Sequence, residues 1–384
     1  MKRNSGHPRG WRPAHLEDLV FFQRGFDITK AEQRQGNIPV VSSSGIQSYH
    51  SEAKVEGPGV VIGRKGSLGT VHFVDCPYWP HDTTLWSKDL RGNDPRYVYY
   101  FVHTMGFERY DVGNSNPTLN RNHIHGLDIL IPPLRTQKAI VEVLSTYDDL
   151  IENNRRRIQL LEQAARLLYK EWFVHLRFPG HEHTPIIEGV PEGWEKTCYN
   201  ELFEFHGGFA FKSKTYQAEG KYGIVTIKNV HDARFVPECS SRLDSVPDKM
   251  KPHCLLSTGD ILLSLTGNVG RACIAYGENF LLNQRVAKIV GKDIPRSFVY
   301  WTFSSDASQR ELENLAYGVA QLNLSPVKLG EQEFLRPSSM LLEMFAEICE
   351  PVFQQICTLN LSNQQLTKAR DLLLPKLMNG EVAV

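Results

Sequence analysis

Apolar residues recur every seven positions along one stretch of the chain. Leu144, Ile151, Ile158, Ala165 and Trp172 form one row; Ile140, Tyr147, Leu161 and Leu168 form a second, interrupted by Asn154. Two interleaved rows of sevens are the a/d seam of a coiled coil and predict a long helix over 134–176. The pattern returns over 339–378. Phe345, Val352, Leu359, Leu366 and Leu373 form its stronger row, and Cys349, Ile356, Asn363, Arg370 and Leu377 its weaker one. At about 1.5 Å per residue each helix would be roughly 55–60 Å long. Strict sevens in both stretches predict that the helices pack on each other. An antiparallel pairing is easy because a whole globular segment lies between them. Asn154 and Asn363 would then be polar seam positions that fix register and orientation at some cost in stability.

Outside these stretches the periodicity shortens. "GVVIG", "YVYYFV", "DILLSL" and "RVAKIV" are β-rich runs bounded by Gly, Pro, Asn and Asp, which predicts α+β units with mainly antiparallel, irregular sheets. The units are copies of each other. "GWRPAHLEDLVFFQRGF" from Gly10 matches "GWEKTCYNELFEFHGGF" from Gly193, with Trp11, Leu19, Gly25 and Phe26 meeting Trp194, Leu202, Gly208 and Phe209. Further on, "VVIGRKGSLGTV" matches "ILLSLTGNVGRA", pairing Gly66 with Gly267 and Gly69 with Gly270, and "TLNRNHI" matches "QLNLSPV". An insertion in the second copy is expected near Val236 to Cys254. The predicted architecture is two similar α+β domains separated by an antiparallel pair of coiled-coil helices, with internal pseudo-twofold symmetry. The Pro- and Gly-rich segment 177–193 is the linker and 379–384 a short tail.

Composition narrows the class. The 384 residues are 41% hydrophobic and 22% charged, as in a soluble globular protein, and long enough for two domains. Lys+Arg and Asp+Glu both number 43, so a nucleic-acid partner would have to be met by local basic patches. The seven cysteines lack a C-x-x-C pair or zinc spacing and read as reduced thiols of a cytoplasmic protein. The start "MKRNSGHPRGW" lacks a signal-peptide core, and no 18-residue apolar run occurs.

The glycine loop "VVIGRKGSLGTV" invites a nucleotide reading, which its spacing refutes. Lys65 precedes Gly66 with no Ser/Thr after it, so it is no Walker A loop, and Gly63, Gly66 and Gly69 do not fit G-x-G-x-x-G. The second copy keeps Gly267 and Gly270 but replaces Arg64 and Lys65 by Leu265 and Thr266. The glycines therefore hold a turn common to both units, and the residues between them vary. "DCPY" at Asp75 departs from the D-P-P-Y tetrad of amino-methyltransferases and reads as a turn; "EAK" at Glu52 is a chance triplet. "HIH" (His123 to His125) and "HEH" (His181 to His183) read as solvent-facing pairs. No nucleophile–base constellation and no metal site can be assigned.

These residues resemble one family. Tandem α+β units, each closing through a Pro-bearing segment into a long helix, resemble the specificity (S) subunit of type I restriction-modification enzymes. The likeness is carried by "IPVVSSSGIQSYH", "GPGVVIGRKGSLGTV", "WPHDTTLW", "LNRNHIHGLDILIPPLRTQ" and "LLEQAARLLYKEWF", then by "GDILLSLTGNVGRACIA", "LLNQRVAKI" and "ARDLLLPKLMNGEV". "EFLRPSS" departs from the usual proline-rich lead-in to the second helix. The resemblance implies target recognition domains at 1–133 and 194–338, each reading one half of a split, asymmetric double-stranded DNA target. It implies helices that act as spacer and as docking surface for two methyltransferase (M) subunits. Catalysis and cofactors would lie elsewhere: S-adenosylmethionine in the M subunits, ATP and Mg in the restriction (R) subunits. Rival readings are a self-contained methyltransferase or nuclease, and a coiled-coil adaptor.

Phosphates are met by Arg, Lys, Ser, Thr and Asn, and base edges in the major groove are read best by Arg, Lys, Asn and Gln. In the first unit this singles out Arg64, Lys65 and Ser67, then Ser43, Ser44, Asn114, Asn116 and Asn120. In the second it singles out Thr266, Asn268 and Arg271, then Lys228, Asn229, Gln284, Arg285 and Asn323.

Overall fold

A computed structural model describes residues 8–110, 118–316 and 322–384. It divides into two compact units: the chain up to Leu150 together with Leu366–Val384, and Ile151–Gln365. Each unit thus holds one α+β domain with a part of both long helices, Leu134–Tyr169 and Ser339–Met378. The first helix continues through a π-helical turn, Lys170–Val174, and Leu176 adopts a left-handed φ of 57°, so the helix ends short of the expected 176.

Unit one is built on a four-stranded antiparallel sheet ordered Phe21–Arg24, Thr84–Asp89, Gly59–Gly63, Val71–Val74. A second sheet joins Gly45–His50, Ile38–Ser42 and Trp79–Pro80, the last pair parallel. Helix Pro95–Thr104 covers the first sheet. Its start is fixed by Asp94, whose carboxylate accepts from the amides of Arg96 (2.9 Å) and Tyr97 (3.0 Å), with Pro95 in the first turn. Unit two repeats this order in Phe203–Gly207, Val286–Gly291, Ile261–Ser264 and Ala272–Ile274, with helix Arg296–Ser304. Its second sheet again holds one parallel pair, Tyr222–Val225 with Phe280–Leu282. The insertion begins earlier than expected, with the hairpin of Val230–His231 and Arg234–Phe235. That hairpin comes before Arg242–Leu243, the strand that pairs with Tyr222–Val225.

The helices are tied into each unit by its core. In unit one, Ile140 and Leu144 of the first helix and Leu374 and Leu377 of the second join Phe22, Val60, Tyr97 and Val98. Gln137, buried where the chain enters the first helix, donates to Asn93 Oδ1 (2.8 Å) and the Pro132 carbonyl (3.0 Å) and accepts from the Asp94 amide (2.9 Å). In unit two, Tyr169, Trp172, Phe345 and Phe353 pack with Phe298 and Trp301. Within each unit the pairing is antiparallel. Arg370 donates to Asp148 Oδ1 (2.6 Å) in unit one. In unit two Asn154 donates to Asn363 Oδ1 (3.0 Å), and Trp172 stacks edge-on against Phe345. Both seam asparagines thus meet each other, as a register-setting pair would. Changing Asn154 alone to Leu is expected to destabilise the chain by about 1–2 kcal/mol, because Asn363 is left without its partner. Changing both to Leu is expected to restore or raise stability, which denaturant unfolding of single and double variants measures.

A second buried polar group was not legible in the heptads. Glu162, on the first long helix, accepts from Tyr300 Oη (2.7 Å), and its other carboxylate oxygen has no hydrogen-bond partner among the described residues. Burial, opposed by the Tyr300 bond and by Arg166, pushes its carboxyl up to about 7. The folded chain therefore holds this proton more tightly than the unfolded chain does. The resulting stability is full below the ordinary carboxyl range and is lost as pH rises through about 7. Glu162→Gln is accordingly expected to stabilise unit two at pH 8, by about 2–3 kcal/mol, and to change little at pH 4.5. Unfolding curves at both pH values check this. Among the described residues no helix is long and apolar enough to cross a membrane.

Candidate nucleic-acid interface

The glycine loops are the same object in both units. In unit one the strand Gly59–Gly63 leads into the loop and Val71–Val74 leads out. The Gly63 amide donates to the Thr70 carbonyl (2.8 Å) and the Gly69 amide to the Gly63 carbonyl (2.9 Å). The Arg64 amide donates to the Thr83 carbonyl (2.8 Å), and the Leu119 amide to the Arg64 carbonyl (3.0 Å). Unit two repeats all four. Ser264 donates to Arg271 (3.0 Å), Gly270 to Ser264 (3.0 Å), Leu265 to Arg285 (3.0 Å) and Leu324 to Leu265 (2.8 Å), so the counterpart of Leu119 is Leu324 and not Leu322, as the sequence match implied. Gly66, Gly69, Gly267 and Gly270 all have φ between 76° and 80°, a region closed to most side chains. The backbone frame is held by main-chain bonds, so the side chains on it are free to differ.

Around the loop of unit one three other segments converge. The Ser42–Gly45 turn touches it through Ser43, whose carbonyl accepts from Thr70 Oγ1 and His72 Nε2 and whose hydroxyl lies 3.5 Å from where a Gly66 Cβ would sit. The segment His81–Thr83 is strapped to it by the Thr83 carbonyl, which accepts from the Arg64 and Lys65 amides (2.8 and 3.1 Å). Leu119 and Asn120 complete the group. Arg64 and Lys65 are half-buried, and Gly66 and Ser44 are exposed. The Arg64 guanidinium is lowered from its ordinary value, first by burial and then by the charge of Arg24, with Asp82 opposing. Two guanidiniums crowded around one carboxylate are a setting that an added phosphate would relieve.

The equivalent cluster in unit two carries other side chains. Asn268, Gln284, Arg285 and Lys228 are exposed and Arg271 half-buried. Thr266 is buried and bridged to Asn323 by backbone pairing, which puts both on the supporting frame. Asn229, a candidate DNA contact by residue type, is buried instead, which removes it from any surface that meets DNA. Only 3% exposed, it caps its own turn by accepting from Thr226 (2.9 Å to the amide) and donates to the carbonyls of Val236 (2.8 Å) and Glu238 (3.1 Å). Asn120 is exposed but caps the short helix Arg121–His125 through the Asn122 amide (3.0 Å). Asn114 and Asn116 lie outside the described residues.

Residue-type reasoning missed Arg24, His81, Asp82 and Thr83. The signal was present: His81-Asp82-Thr83 occupies the place of Asn283-Gln284-Arg285, as the paired bridges Phe26–His81 and Phe209–Asn283 show. The histidine pairs divide. His125 is buried and accepts from the Phe22 amide (3.0 Å), with burial lowering its pKa, so it is a core group rather than the solvent-facing one expected. Asp27, His81 and Asp82 place potential ligand atoms within 4.8 Å of one another, but Arg24 already engages Asp82 at 2.8 Å.

Comparison with known proteins agrees with this duplicated arrangement. A family model described as the type I restriction modification DNA specificity domain matches the chain twice, at residues 8–163 and 191–340. The type I restriction enzyme HindI specificity subunit of Haemophilus influenzae is 22% identical over 331 residues, 69% of this chain and 71% of that protein. The MjaIX specificity subunit of Methanocaldococcus jannaschii is 24% identical over 314 residues, 75% of this chain and 69% of that protein. In fold, the chain is similar to the crystal structure of a type I restriction-modification S subunit from M. genitalium. The TM-score is 0.60 at 18% identity, and 98% of each chain is covered.

Proposed function

The chain belongs to the type I restriction-modification DNA specificity family, and from that premise we propose that each of its two units reads one half of a bipartite, asymmetric DNA target. The observation that carries this is the doubled frame: four equivalent main-chain hydrogen bonds hold two loops in one shape while their side chains differ. Identical frames place side chains alike against a duplex, and different side chains then select different bases. Phosphates would be gripped by Arg64 and Lys65 in unit one and by Arg271, Arg285 and Lys228 in unit two, which accommodates a chain of formal net charge zero.

In this reading the paired helices set the gap between half-sites and dock two M subunits. Leu150, Leu160, Leu167, Ile348 and Leu372 are large apolar residues left exposed on these helices, which supports docking there. Methyl transfer with S-adenosylmethionine, and ATP- and Mg-dependent cleavage by R subunits, would belong to those partners, with no cofactor in this chain. The experiment is selection from a randomised duplex pool by the full chain with its M subunits. Two short blocks separated by a constant gap are expected, and a single uninterrupted block would refute the reading. Removing one heptad from both helices, about 10 Å, should shorten the gap by about three base pairs. Methyl transfer or cleavage by the rigorously purified chain alone would favour the rival enzyme reading.

A further inference from the structure

The segment His81–Thr83 raises a question that the basic residues around it do not. Asp82 places a negative charge at the rim of the surface that the proposed function turns toward phosphates. Its side chain is one-fifth exposed. Arg24 Nη2 donates to its Oδ2 at 2.8 Å, and His81 Nδ1 lies 3.1 Å from its Oδ1. The backbone here is fixed: the His81 amide donates to the Val41 carbonyl (2.9 Å), and the Thr83 carbonyl holds the loop amides of Arg64 and Lys65. At the equivalent place unit two exposes Gln284 and Arg285, side chains suited to base edges.

An ionised carboxylate offers about four acceptor positions and no donor. Arg24 occupies one, and His81 Nδ1, although near Oδ1, accepts from the Thr83 amide (3.3 Å), so acceptor capacity remains. Facing DNA, those lone pairs are repelled by phosphate and by base acceptors, and are satisfied only by an exocyclic amino group. In the major groove guanine shows two acceptors and thymine one. Adenine places its N7 acceptor beside its amino donor. Cytosine alone presents a donor and no acceptor on its own major-groove edge. Resting on the DNA-reading assignment above, we propose that Asp82, oriented by Arg24, is a specificity-determining residue of unit one that accepts a hydrogen bond from the N4 amino group of a cytosine in its half-site.

The test measures binding of the full chain with its M subunits to cognate duplexes. Each cytosine of half-site one is replaced in turn by 2-pyrimidinone, which lacks the amino group, for the wild-type chain and for Asp82→Asn. The wild type should lose about five- to a hundredfold in affinity at one cytosine, the range of a single base contact. Asp82→Asn should show no further loss there and should shift its preference toward adenine, whose N6 and N7 an amide can pair. Half-site two should be unaffected. If no cytosine of half-site one responds in the wild type, the proposal fails, and this arm needs no variant to fold. Uniform weakening across half-site one in Asp82→Asn would also overturn it, by showing that Asp82 serves only to position Arg24. A wild type without any preference at half-site one would instead sink the broader reading together with this one.

Discussion

Replacing Arg64 and Lys65 together by alanine is expected to weaken binding to the cognate duplex by about ten- to a hundredfold at low salt. The slope of log affinity against log salt should fall by about two, one phosphate contact per lost cation. The loop itself should persist, because the main-chain bonds to Thr83 and Leu119 do not involve these side chains. Loss of the Arg64 side chain also removes its reach to the Asp82 carbonyl (3.4 Å), a contact too long to matter much to folding. Preference at half-site two should survive intact. Titrations at several salt concentrations decide: an unchanged slope would mean that the two cations do not face DNA.

Gly69→Ala is expected to cost unit one about 3 kcal/mol and to abolish reading of half-site one. The position has φ of 76°, which costs a side chain about 1–2 kcal/mol. The new Cβ would also fall 2.3 Å from the Glu108 amide nitrogen and 2.7 Å from the Phe107 carbonyl carbon. Those are backbone atoms and cannot swing aside, so the overlap adds about 1–3 kcal/mol. Gly66→Ala is the control. It has the same φ, but among the described residues its Cβ would meet only Ser43 Oγ at 3.5 Å, so the strain of about 1–2 kcal/mol is the cost expected. Denaturant unfolding of the two variants should separate them clearly; equal losses would contradict the close packing of the loop against Phe107 and Glu108.

Much of this architecture was legible in the chain because it follows from periodicity. The seam rows fall where burial puts them: Leu144, Ile151, Ala165 and Phe345 are buried, and the two asparagines that interrupt the rows meet each other. Glu162 was not legible. A glutamate within a long helix reads as a solvated position, and only the helix Arg296–Ser304 laid over it makes it a buried acceptor for Tyr300. The interface divides the same way. The glycines marked the loops because a positive φ leaves few alternatives. The place of Asn229 is not legible, because an asparagine caps a turn as readily as it reads a base, and nothing local distinguishes the two. Asp82 is not legible from residue type, because an aspartate looks out of place beside phosphate. Its significance emerges from the strap to Arg64 and Lys65 and from its equivalence to Gln284.

The most direct measurement is a map of methylated positions in DNA from cells expressing this chain with its M subunits, compared with cells expressing the Arg64→Ala, Lys65→Ala variant. A single motif of two unlike blocks at a fixed separation is expected, with one block degraded in the variant and the other unchanged. A motif without a gap, or one in which both blocks degrade together, would contradict the assignment of one unit to one half-site.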